Sequence, residues 1–185
     1  MNISNEFYSN VIQIYGEAGE DWLVRVPDII DRCSEKWGLS NLVLLDNFSN
    51  IVLFGSSSFF GDVVLKIGMD ITTEINALSR LSGPAICQCY AMEETLGALL
   101  LERITPGNDL TTVPSEEERI IIAAKLMLKL SVVPGTDVDK FPTYSQLIEK
   151  DFNSMRKGRT LNKNMALYIE RAEKFLETNS KAPSR

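Results

Sequence analysis

Lys66 is the only cation in the run Val63-Val64-Leu65-Lys66-Ile67, which has the composition of a β-strand. Strand alternation puts its side chain on the face opposite Val63, Leu65 and Ile67. An ammonium group beside an apolar sheet needs a partner or a path to water. Glu74 follows eight positions later, near the start of a predicted helix, and reaches Lys66 if the strand end and the first helical turn pack together. A lysine steadied in this way suits phosphate oxygens, because the carboxylate fixes its position while donors remain for an anion. Spacing alone equally allows an edge-strand lysine that snorkels to water.

The second chemical candidate is Ala98-Leu99-Leu100-Leu101-Glu102-Arg103-Ile104-Thr105-Pro106-Gly107, an apolar strand that runs into a polar connector. Backbone groups past the strand end have lost their ladder partners, and a planar heterocycle can take those hydrogen bonds edge-on. An ordinary link between two lobes has the same composition.

Other chemistry is excluded. There is no histidine among the 185 residues, which removes Ser-His-Asp and Cys-His catalysis, HExxH zinc sites and any histidine base. A net charge of −6 and a pI near 4.8 argue against nucleic-acid partners. Cys33, Cys87 and Cys89 are too few and too poorly spaced for a disulfide framework or a four-ligand zinc site, so a reducing, cytoplasmic setting is expected. The N-terminus lacks the features of a secretory signal. Apolar runs such as Ile120-Ile121-Ile122-Ala123-Ala124 fall far below the roughly 20 residues that span a bilayer, and no membrane partner is expected.

The elements that position these residues follow from periodicity. A short helix is expected over 7–15, then a longer one with Trp22, Val26, Ile30, Cys33 and Trp37 on one face and Gly38 as its stop. Strands are expected at 42–45, 51–54, 63–67, 86–92 and 98–101, with Gly55-Ser56-Ser57-Ser58 and Gly61-Asp62 turning the second into an antiparallel third. A helix over about 71–81, capped near Asp70 or Thr72, ends at Gly83-Pro84. Beyond Pro106-Gly107 three helices follow: one opened by Ser115 with Glu118 as a capping box and running to about Leu130, one from Thr143 to near Gly158, and one through Met165 to Leu176. The expected class is α+β, with a nucleotide lobe and helical extension over 1–104 and the beginning of a helical lobe over 105–185.

Five segments taken together resemble a known family: Trp22-Leu23-Val24-Arg25-Val26-Pro27, Lys36-Trp37-Gly38-Leu39, Val63-Val64-Leu65-Lys66-Ile67-Gly68, Glu74-Ile75-Asn76-Ala77-Leu78, and Gly97 through Glu102-Arg103 to Pro106-Gly107. Their order and spacing are similar to the N-terminal half of the aminoglycoside and hydroxyurea phosphotransferases of the streptomycin 6-kinase type. The resemblance implies a protein-kinase-like N-lobe with a five-stranded antiparallel sheet and one C-type helix. It implies that Lys66 contacts the α- and β-phosphates of ATP, that Glu74 positions Lys66, that Leu101 is the gatekeeper, and that the Glu102 carbonyl and Ile104 amide form the adenine hinge. Asn47-Phe48-Ser49-Asn50 falls where the phosphate-covering loop belongs, but it contains no glycine.

The chain departs from the family downstream. The family completes its site with a His-Gly-Asp loop, an Asn five residues beyond that Asp, and a later Mg-binding Asp. No Asp here is followed by Asn at the fifth position. Asp151-Phe152-Asn153 lies in an amphipathic helical pattern, and Asp137-Val138-Asp139 precedes two helices, so both read as solvated segments rather than metal ligands. Cys87 and Cys89 read as packing residues. Arg156, Lys157, Arg159 and Lys163 read as a solvated basic face, and Glu17, Glu20 and Asp21 as helix-terminal charges. The expected function is therefore an aminoglycoside-type kinase homologue that carries the ATP-binding half and is inactive alone. The alternative is a non-catalytic nucleotide-binding or interaction module from a truncated or split gene. Helices without the rest of their lobe are expected to self-associate.

Overall fold

The computed structural model describes residues 3–45 and 50–132, together with positions 146, 149, 170, 171 and 174. The chain divides into two units, Met1–Gly135 and Thr136–Arg185. In the second, the five described positions are all helical.

The first unit opens with α1 (Asn5–Tyr15), whose Ser4 cap accepts a hydrogen bond from the Phe7 amide, and α2 (Glu17–Trp37). Gly38 ends α2 at a φ of 60°, and its N–H donates to the Ser34 carbonyl. Trp22, Val26, Cys33 and Trp37 form the buried face as the periodicity predicts. Ile29 is buried with them, whereas Ile30 lies at the flank.

Five antiparallel strands follow: β1 (Leu39–Leu45), β2 (Ile51–Ser57), β3 (Gly61–Ile67), β5 (Cys89–Glu93) and β6 (Ala98–Glu102), in spatial order β1-β2-β3-β6-β5. The two faces of the sheet carry different loads. Ile51, Leu53, Val63, Leu65, Ile67, Ala98 and Leu100 point into the main core with α1 and α2. Leu99 and Leu101 point the other way and join Ile71 and Ile75, flanked by Val64, Leu78, Cys87 and Cys89. The fold is thus α+β, consistent with a kinase-like N-lobe followed by helices.

Three expectations are corrected. Gly55, Ser56 and Ser57 belong to β2 and leave only 58–60 as the turn. Buried Ser57 is tolerated because its hydroxyl donates to the Trp37 carbonyl at 2.7 Å and accepts from the Phe59 amide at 3.1 Å. The helix expected over 71–81 is α3 (Thr72–Leu78); its cap residue is Ile71, with no side-chain cap from Asp70 or Thr72. The chain then turns into β4 (Leu81–Ser82), which pairs antiparallel with β7 (Ser131–Val132). Strand β5 starts at Cys89 rather than at position 86, and its register shifts between Cys89 and Ala91.

α4 (Glu116–Met127) is capped by Ser115, whose hydroxyl accepts from the Glu118 amide at 3.2 Å. It buries none of its residues, and Leu128 just past its end is 87% exposed. The expected apolar positions Phe152 and Phe175, and most of the two later helices, lie outside the described residues.

Lys36, in the last turn of α2, pairs with Glu93 on β5 and so links the main helix to the far sheet edge. Lys36, and then Thr95, hold the Glu93 carboxyl down at about 2 from its ordinary 4.5. A carboxyl whose pKa is depressed on folding stabilises the protein above its unfolded value, and that contribution fades as pH falls through the folded one. Glu93→Gln should therefore melt below the wild type at pH 6, and the gap should close between pH 4.5 and 2. Thermal melts across that range check this; a gap independent of pH contradicts it.

Candidate functional site

Lys66 stands on β3, and its alternation is borne out: Val63, Leu65 and Ile67 are buried in the main core while Lys66 faces the other side. That side is the one covered by α3, whose first turn carries Glu74. The Lys66 Nζ donates to both carboxylate oxygens of Glu74, at 2.8 and 2.6 Å. The two side chains retain 22% and 36% of their accessible surface, so the pair is partly desolvated but still open to solvent on one side. An ammonium has three donors, and a carboxylate that engages both oxygens orients it without enclosing it. The snorkelling alternative is thereby set aside.

The β3–α3 connection depends on backbone proximity. The Gly68 amide donates to the Gly97 carbonyl at 2.9 Å, and a Cβ on Gly97 would collide with the Gly68 carbonyl. Gly97 also sits at a φ of 61°, so glycine is required there on two counts. This crossing ties the end of β3 to the start of β6 and fixes where Lys66 emerges beside α3.

Leu101 is buried in the smaller cluster with Ile71 and Ile75, at the last buried position of β6. Glu102 uses both its backbone and its side chain locally: its amide donates to the Gln88 carbonyl at 2.8 Å, and its carboxylate accepts from the Gln88 amide at 3.0 Å. Ile104 lies beyond the strand and is 54% exposed. Among the described residues no backbone carbonyl accepts from the Ile104 amide. The turn that follows needs Gly107, at a φ of 61°, because a Cβ there would lie 2.6 Å from the Ile104 carbonyl. Asn47 and Ser49 lie outside the described residues, as do Asp137, Asp139, Asp151 and the basic cluster from Arg156 to Lys163.

Sequence reasoning missed the apolar residues around Lys66. Val52 pairs with Lys66 and Phe54 with Val64 in the β2–β3 register, and Leu99 and Leu101 extend the same rows onto β6. Val52, Phe54 and Val64 are half-buried on the Lys66 face, where they make an apolar floor beside the cation. Alternation along β2, counted from the β2–β3 turn, was the signal that could have found them.

No family model matches the chain. It is 24% identical over 131 residues to streptomycin 6-kinase from Streptomyces griseus, a match covering 65% of this chain and 40% of that protein. The similarity is to a kinase. It is distant and partial, and it reaches as far as a kinase-like family. The chain spans about two fifths of the relative's length.

The remaining titratable groups describe a packed lobe. Burial pushes the Cys33 thiol up to about 11, and burial likewise raises Cys87 and Cys89, which flank the smaller cluster as packing residues. Among the described residues no group of three or more Cys, Asp or Glu side chains is placed to hold a metal ion, and no helix is long and apolar enough to cross a membrane.

Proposed function

We propose that this chain is the nucleotide-binding part of a phosphotransferase of the aminoglycoside-kinase kind, with Lys66 holding phosphate oxygens of ATP. The observation that carries this is the Lys66–Glu74 ion pair, formed on the open face of the sheet and beside an apolar floor. The distant similarity to streptomycin 6-kinase supports the reaction class, and it suggests an aminoglycoside-like alcohol as acceptor.

In this reading Glu74 holds the ammonium toward the α- and β-phosphates, and the base lies over Val52 and Val64. The Glu102 carbonyl and Ile104 amide offer the base an acceptor and a donor, with Leu101 behind them. Asn47 and Ser49 belong to the loop proposed to cover the phosphates. Transfer of the γ-phosphoryl group to a hydroxyl also needs a residue to accept the hydroxyl proton and a Mg²⁺ ion to neutralise charge. The chain has no His-Gly-Asp segment, and the described residues offer no metal-binding group, so no catalytic step is assigned to it.

A second reading is a nucleotide-binding module that does not turn over by itself. Mg-ATP at millimolar concentration should raise the melting temperature of the 185-residue chain by mass action, and Lys66→Met should abolish the rise. Lys66→Met itself should cost only about 1 kcal/mol, because the stranded Glu74 can hydrate. No phosphorylation of streptomycin should be detected. An absent thermal shift in the wild type contradicts nucleotide binding; turnover by this chain contradicts the inactive reading.

The partner proposed for α4 is a second copy of the chain. Its exposed apolar residues, including Ile120, Ile121 and Met127, offer the surface. Light scattering should detect oligomers that weaken in Ile120→Glu/Met127→Glu; a monodisperse wild-type monomer overturns this.

A further inference from the structure

The sheet face that carries Lys66 ends in a second cation. Arg103 is the first residue beyond β6 and continues the side occupied by Leu99 and Leu101. Its guanidinium carbon lies 4.5 Å from the centroid of the Phe54 ring on β2. Because β3 separates β2 from β6, the side chain must cross over β3 to get there.

The strand register gives the distance scale. Val52, Lys66 and Leu99 form one cross-strand row, and Phe54, Val64 and Leu101 the next. The Arg103 backbone lies four residues along from Leu99, about 13 Å from the Lys66 row, but its guanidinium reaches back over Phe54, in the row next to Lys66 and about 7 Å from it. The guanidinium thus borders the Val52–Val64 floor over which the base is proposed to lie.

Arg103 differs from Lys66 in how its charge is met. Lys66 is held by a carboxylate, whereas among the described residues no salt bridge includes Arg103, and its guanidinium rests on an aromatic ring. Such a contact leaves the planar edge, with its N–H donors, facing outward. On the opposite flank the Glu102 side chain is bound to Gln88. The exit of β6 is therefore pinned on both sides immediately before Ile104.

Resting on the nucleotide-binding reading, we propose that Arg103, stacked on Phe54, is a positioning residue for the base end of the nucleotide. It fixes the path of the connector and borders the apolar floor at Phe54. The base is then registered against Glu102 and Ile104 independently of the grip on the phosphates.

The test is calorimetric titration of the full chain with Mg-ATP and, separately, with Mg-tripolyphosphate, which has the phosphates and no base. Arg103→Ala and Phe54→Leu should each weaken Mg-ATP roughly three- to tenfold and leave tripolyphosphate unchanged. Arg103→Lys, which keeps the charge and loses the plane, should fall between wild type and Arg103→Ala, while Lys66→Met should weaken both ligands. If Arg103→Ala does not fold, Arg103→Lys and Arg103→Gln carry the same comparison. Wild type binding both ligands, with Arg103 variants unaltered or weakened equally toward both, overturns this assignment alone. Wild type binding neither ligand overturns the nucleotide reading and this assignment with it.

Discussion

An ammonium on the open face of an apolar sheet constrains everything around it. Lys66 must be steadied without being buried, because full burial would cost several kcal/mol and full exposure would leave it without a fixed direction. Glu74 meets that constraint from α3, with both carboxylate oxygens on the Nζ and part of each side chain still wet. For this to work, α3 must begin at a set distance from the end of β3. The close backbone crossing of Gly68 and Gly97 holds the end of β3, just before α3, against the start of β6.

The two-faced sheet explains how a chain of this composition can leave one surface open. The α1–α2 pair buries seven strand residues on one side and provides most of the core. The short α3 covers only part of the other, around Leu99 and Leu101. Val52, Phe54, Val64 and Lys66 remain half-buried beside it. A lobe that obtains its stability on one face can keep the other for a ligand.

Much of this was legible in the residues. Alternation in Val63-Val64-Leu65-Lys66-Ile67 placed Lys66 on the correct face, the steps from Trp22 to Trp37 gave the buried side of α2, and Ser115 with Glu118 marked the start of α4. Errors gathered where tertiary pairing overrides local propensity. Leu81 continues a helical period, yet its backbone pairs with Val132, fifty-one positions away, and no local signal announces that. Ser56 and Ser57 look like turn residues but belong to β2, and the Trp37 carbonyl supplies the partner that buried Ser57 needs. Arg103 was part of a recognised segment, but its place over Phe54 depends on a three-strand register that cannot be read from spacing.

The central claim is that the Lys66–Glu74 pair faces a polyphosphate. The most direct measurement is a crystal structure of the chain with Mg²⁺ and a non-hydrolysable ATP analogue. The account predicts an α- or β-phosphate oxygen within about 3 Å of the Lys66 Nζ, with Glu74 still bound to it. An analogue seated elsewhere, with Lys66 and Glu74 touching only each other, would contradict it.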